Sequence, residues 1–308
     1  MGHEKEQPIW IAGCGDIGRR LARRYAADGI PVSGFVRSDA SRQACRCDGV
    51  NAIISDFSAG TLDFDPRLLA DARVYYFAPP PPGGVGDTAL AAFLDHVGEH
   101  PARILLISAT GVYGDCQGQW IDESWPVNPV ADRARRRLDA ERCLAAWSAR
   151  WKKSHVILRV SGIYAPPDRL PLARLRQGAP VLRVSESPYT NRIHADDLAM
   201  VCRAAMERAG DGEIFNACDG HPSTMTEYFD RVADYAGLPR PPRVSLAEAR
   251  KVMSRGMLSY LAESRRIRND RLLRRLGVAL RYPTLESALK NAPRFGTNGV
   301  RSQTGKHP

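Results

Sequence analysis

Short apolar runs alternate along the chain with stretches in which apolar residues recur at helical spacing. Residues 8–12 are apolar throughout and lead into glycines. From Ile17 the apolar positions return at Leu21, Ala22, Tyr25 and Ala26, one face of a helix. Residues 31–36 predict a second strand, 41–47 a short helix and 52–54 a third strand. A brief helix at 68–71 precedes a fourth strand at 73–78, which the proline run 79–82 stops because proline cannot donate to a ladder. Helical spacing at 88–100, a fifth strand at 103–108, a long helix at 132–151 and a sixth strand at 156–160 follow. Strands alternating with helices at this spacing predict an α/β fold with a Rossmann-type, doubly wound parallel sheet.

The texture changes beyond Ser161. Proline and glycine punctuate 165–188, and helical patterns at 195–209 and 226–236 dominate afterwards. A short strand at 181–183 and a late one at 213–217, returning to the sheet, complete the expectation. The organisation read from this is a dinucleotide-binding domain over 8–164, a smaller C-terminal substrate lobe over 165–292 interleaved with the sheet, and a disordered tail over 293–308. No internal repeat is visible.

Composition is ordinary for a globular chain of 308 residues, 44% hydrophobic and 25% charged. No run approaches the roughly 20 apolar residues of a membrane span. The first six residues are polar and mixed in charge, unlike a signal peptide, and Glu6 breaks a myristoylation pattern at Gly2. A cytoplasmic location is expected, with no membrane partner. Of the seven cysteines only Cys45 and Cys47 lie close together, so free thiols are expected and no metal site. The net charge of +10 comes from six lysines and 38 arginines, with clusters at 133–137 and 265–275. No aromatic interleaving or reading motif accompanies them, so the charge is read as solvated helix faces and phosphate recognition rather than nucleic-acid binding.

The glycine-rich turn gives the first chemistry. Gly13 permits a tight turn, Gly15 lets a pyrophosphate approach the backbone, and Gly18 lets helix and strand pack closely. Asp16, Ile17 and Arg19 share this turn and helix start, whose free N–H groups favour phosphate. An NAD site expects an acidic residue about 20 positions past the glycines. Arg37 and Ser38 occupy that place, 19 positions after Gly18. Arginine there suits a 2′-phosphate, with Arg19 able to share the load, so NADP is favoured. Asp39 keeps NAD possible.

With these residues in place the sequence resembles the extended short-chain dehydrogenase/reductases, the NAD(P)-dependent epimerase/dehydratase family, and more closely its atypical YeeZ-like branch. The resemblance runs from about Ile9 to Leu289. It is carried by the glycine turn, Asp56-Phe57, SATGVYGD at 108–115, RVSGIYAP at 159–166, RIHADDLA at 192–199 and Phe215-Asn216. At the C-terminal end it is carried by SRRIRN at 264–269, Leu276-Gly277 and Tyr282-Pro283. The resemblance implies that Asp56 and Phe57 flank the adenine and that Ala78 and Pro79 run beside the ribose and diphosphate. The end of strand five, with Ser108, would lie beside the nicotinamide, and 164–166 would line its far side.

The family relies on a Tyr-x-x-x-Lys pair on the long helix and a hydroxyl after strand five. Aligned on Glu141, the pair's places hold Arg133 and Arg137, and counting back four from Tyr113 puts Ala109 at the place of the hydroxyl. Arginine stays protonated and cannot shuttle protons at neutral pH, but Arg137 can hold cofactor ribose, phosphate or carboxylate. Substitutes for the missing acid are Tyr113, Thr110, Ser108 and Tyr164. His194, ahead of Asp196 and Asp197, reads as a helix cap, and Cys116 as a free thiol. The function expected is that of an NAD(P)-binding oxidoreductase or epimerase-like protein acting on a small polar metabolite such as a sugar derivative. The alternative is a non-catalytic NADP-binding redox sensor. A homodimer through the helices around 92–97 and 132–147 is possible by the same resemblance.

Overall fold

A computed structural model describes residues 7–59 and 62–293. From residue 294 onward, the tail expected at 293–308 lies outside the described residues. Seven strands, β1 (Ile9–Ala12), β2 (Val32–Val36), β3 (Asn51–Ile54), β4 (Arg73–Tyr76), β5 (Arg103–Ala109), β6 (Ser154–Val160) and β7 (Glu213–Ala217), form one sheet in the order β7-β6-β5-β4-β1-β2-β3. Every pairing within it is parallel. The sheet is therefore the doubly wound Rossmann type, and its order reverses at β1, flanked by β2 on one side and β4 on the other.

Successive side chains of a strand face opposite ways, so a parallel strand covered on both faces reads as a continuous apolar run. In β1, Ile9 and Ile11 enter one core with α1 (Asp16–Ala26), and Trp10 and Ala12 enter the other. The first core also takes α5 (Ala195–Arg208) through Leu198, Val201 and Cys202. The second takes α3 (Thr88–Val97) and α4 (Asp132–Trp151) through Leu90, Phe93, Leu144 and Trp147.

Three helices depart from expectation by two residues or more, each for a local reason. Helix α2 (Asp39–Cys47) starts at Asp39 rather than 41 because Ser38 Oγ accepts from Ser41 N at 3.3 Å and caps it. Helix α3 ends at Val97, where Gly98 turns to φ +51°. The helix expected at 68–71 is a 3₁₀ turn over Pro66–Leu69, set by Asp65 as N-cap, with Asp71 left-handed at φ +55°.

After β6 the chain makes short strand pairs rather than a second sheet. Arg192–His194 runs parallel to Gly162–Tyr164, and Arg266–Ile267 parallel to Trp120–Ile121. Helix α6 (Met225–Ala236) contributes Tyr228, Phe229 and Val232 to a small cluster with Tyr164, Leu172 and Val181. Helix α7 (Arg255–Leu261) buries none of its residues. No helix among the described residues is long and apolar enough to cross a membrane.

Candidate active site

The switch in strand order at β1 and β4 opens a crevice at the carboxyl ends of the strands. The glycine turn fills it. Gly13 sits at φ +87°, and a Cβ there would lie 2.5 Å from Ala78 N, just beyond β4. Gly13 N and Cys14 N both donate to Phe35 O, at 3.1 and 2.9 Å, which ties the turn to β2. A Cβ on Gly18 would meet Ile11 Cγ2 at 3.0 Å and Cys14 Sγ at 3.2 Å, so glycine sets how closely α1 lies on β1. At Gly15 an added Cβ would meet nothing within 4 Å. No side chain caps α1, which leaves its first N–H groups for an anion.

A groove of about 510 Å³ opens here, and its walls include Gly13, Gly15, Arg37, Ser38, Ala78 and Pro79. Asp56 and Phe57 also line it, and hydrogen bonds from Ser58 Oγ (2.6 Å) and N (2.9 Å) hold the Asp56 carboxyl below the usual range. Four residues grouped with the turn do not line the groove. Ile17 packs into the core, and Gly18 serves the helix–strand contact. Asp16 is taken by Arg20 at 2.9 Å and Arg169 at 3.0 Å. Arg19 is drawn to Asp48 at 3.2 Å, so it does not share the load with Arg37. Asp39 is paired with Arg42 on the exposed side of α2.

A second cavity, of about 470 Å³, meets the groove at Pro80, which lines both. Its walls come from the ends of β5 and β6, the first turns of α4 and the chain after 189. Ala109, Arg133 and Arg137, the three positions where the hydroxyl, tyrosine and lysine were sought, all line it. Arg137 is half-buried and donates to Ile107 O at 3.1 Å.

Of the four hydroxyls proposed as substitutes, Thr110 lines this cavity. The other three are turned away. Ser108 Oγ donates to Glu141 Oε1 at 2.6 Å, beside a buried pair in which Arg159 Nη2 lies 2.8 Å from Glu141 Oε2. Tyr113 is 1% exposed, its hydroxyl donates to Asn216 Oδ1 at 2.8 Å, and burial pushes its phenol up to about 12. Tyr164 donates to Thr284 O at 3.3 Å, and burial raises its phenol far above the usual range. These partners satisfy the hydroxyls within the fold, which removes Ser108, Tyr113 and Tyr164 from the cavity wall.

His194 Nδ1 accepts from Asp196 N at 3.2 Å and caps α5, and burial pushes its imidazole down to about 4. Cys116 is buried, which raises its thiol. Among the described residues no group of three or more His, Cys, Asp or Glu is placed to hold a metal. Spacing did not single out Tyr260 and Glu263 as wall residues, because they arrive from 7-residue α7 and the loop after it, far from any strand end. Arg192 and Arg265 lay within motifs but carried no signal of facing a cavity.

Residues 86–218 match the NAD dependent epimerase/dehydratase family. The chain is 27% identical over 244 residues to protein YeeZ of Escherichia coli K12, covering 76% of this chain and 85% of that one. Solved structures match the fold over nearly the whole chain. A conserved protein of unknown function from Silicibacter pomeroyi matches at TM-score 0.79 and 29% identity, over 92% of this chain and 97% of that one. A UDP-glucuronic acid 4-epimerase from Bacillus cereus, in complex with NAD, matches in fold at TM-score 0.73 and 16% identity, over 93% and 97%.

Proposed function

We propose that the chain is an NADP-binding oxidoreductase or epimerase-like protein of the atypical short-chain dehydrogenase/reductase type, acting on a small polar metabolite such as a sugar derivative. The observation that carries the reading is the uncapped start of α1 behind an open Gly15, in a groove that continues past Pro80 into a second cavity. The Bacillus relative, named for a UDP-sugar and holding NAD, supports a sugar derivative as substrate. Bound NADP supplies a hydride acceptor or donor. Gly13 and Gly15 approach its diphosphate, Ala78 and Pro79 flank the ribose side, and Asp56 and Phe57 bound the adenine end. Arg37 and Ser38 face the 2′-phosphate. Asp39, the residue that would suit NAD, is held by Arg42, which supports NADP over NAD. Thr110 orients a substrate oxygen in the second cavity, and Arg137 holds charge there without moving a proton.

The same reading places the protein in the cytoplasm, supported by seven free cysteines, and pairs two copies through α3 and α4, as the family resemblance implies. A second reading, a non-catalytic sensor of NADP redox state, is favoured by Ala109, Arg133 and Arg137 standing in the cavity where the acid would be. The test is NADPH carrying deuterium at the transferable position, incubated with the protein and a soluble metabolite extract. Label appearing in a metabolite, and lost or strongly reduced with Thr110→Ala, supports the enzyme. Bound NADPH that keeps its label throughout supports the sensor.

A further inference from the structure

The second cavity carries positive charge that its own walls do not neutralise. Arg133, Arg137, Arg192 and Arg265 line it against the single carboxylate of Glu263. That carboxylate is already shared, with Arg265 Nη1 2.9 Å from Oε2 and Arg133 Nη2 3.4 Å from Oε1. Arg133 also donates to Ser259 Oγ at 2.7 Å and lies over the Tyr260 ring at 3.8 Å.

The other two guanidiniums have no hydrogen-bonded carboxylate among the described residues. Arg137 gives its hydrogen bond to the Ile107 carbonyl. Asp87 lies near enough to act on it through space, but Asp87 Oδ1 is spent on Leu90 N at 3.0 Å and Oδ2 has no partner. Arg192 lies 3.5 Å above the Tyr228 ring, with Nη2 4.0 Å from Met225 Sδ and a buried Nε that has no partner. Asp219 acts on Arg192 through space, and its Oδ1 accepts from His221 N at 2.9 Å. The Nε of Arg265 is likewise buried and unpartnered.

A guanidinium cannot shed its proton to relieve this, so the charge stays in the cavity wall and the buried Nε donors of Arg192 and Arg265 stay unsatisfied. An anion from outside would complete the set. We infer that this cavity takes a small metabolite bearing a phosphate or a pair of carboxylates, its anionic group seated against Arg137 with Arg192 as the second contact. The inference rests on the proposed function in treating this cavity as the substrate cleft, and it names the substrate class. In place of a proton-transfer pair, α4 presents anion-holding guanidiniums.

The experiment is isothermal titration calorimetry on the full chain with glucose 6-phosphate, citrate and glucose, at low and high sodium chloride, with and without saturating NADP. At least one anionic probe is expected to bind with NADP present, more weakly at high salt, and glucose is not. The phosphate and carboxylate arms separate the two kinds of anion. Arg137→Gln is expected to weaken the bound probe about tenfold or more, Arg137→Lys less, and the exposed Arg274→Gln not at all. Should Arg137→Gln fail to fold, Arg192→Gln carries the same expectation.

Anionic probes binding no better than glucose would overturn the inference. So would equal weakening by Arg137→Gln and Arg274→Gln, or probe binding that saturating NADP abolishes. Direct titration with NADP separates the two claims. NADP binding without anion binding overturns this inference alone, and anion binding lost in Arg137→Gln without any NADP binding overturns the cofactor reading alone.

Discussion

Glu141 is held from two sides, by the Ser108 hydroxyl and by the Arg159 guanidinium, and both charged side chains are only 6% exposed. Removing one partner of a buried ion pair strands the other charge. Glu141→Ala is therefore expected to destabilise the fold by about 3 to 5 kcal/mol, read from urea unfolding, and Glu141→Gln by less. Tyr113 is a structural neighbour of the same pair, with Arg159 4.9 Å above its ring. Tyr113→Phe is expected to keep turnover and to cost about 1 kcal/mol for the bond to Asn216, and a loss of turnover with stability intact would restore it as the catalytic acid.

His194 gives a pH signature. Its folded pKa of about 4 lies below the ordinary 6.5, so the unfolded chain binds the proton first and stability falls as pH drops from about 6.5 toward 4. The loss amounts to about 3 kcal/mol. His194→Asn keeps a capping acceptor without the titration, and its stability is expected to fall less than the wild type's over that window. At this scale the sequence could name hydroxyls near strand ends but not their partners. Ser108, Tyr113 and Tyr164 find theirs 33, 103 and 120 residues away, and only the packed fold shows that they are engaged.

At the scale of elements, the two glycines of the turn separate folding from binding. Gly13→Ala would place a Cβ 2.5 Å from backbone at Ala78, in a left-handed conformation, and is expected to cost more than about 1 to 3 kcal/mol. Gly15→Val meets open space and is expected to leave the melting temperature unchanged while lowering NADP affinity about tenfold or more. Equal loss of stability in both variants would contradict this division. The strand, turn and helix that hold these glycines were legible because β1 is apolar throughout and α1 buries one face, Ile17, Leu21, Ala22 and Tyr25. Helix α7 was not. It is only seven residues long and buries none of them, and it meets the cavity through Ser259 and Tyr260 on Arg133.

Across the whole molecule the arginine excess is largely drawn inward or paired. In the cluster at 265–275, Arg271 and Arg275 both reach Glu213 Oε1, at 3.2 and 3.1 Å, and Arg266 donates to Gly118 O at 2.6 Å. The parallel, doubly wound sheet was legible from alternating strands and helices, and β7 from a short apolar run returning to it. The cavity beside it was not, since its walls converge from the ends of β5 and β6 and from segments up to 155 residues beyond Thr110 that share no motif spacing.

The central claim is that the groove over Gly15 binds NADP, with Arg37 choosing the 2′-phosphate. The measurement that tests it most directly is a nicotinamide fluorescence titration of the protein with NADPH and, in parallel, NADH. NADPH is expected to bind about tenfold or more tightly than NADH, with the preference lost in Arg37→Ala and NADH affinity unchanged. Equal affinity for the two, or saturation by neither, would contradict the account.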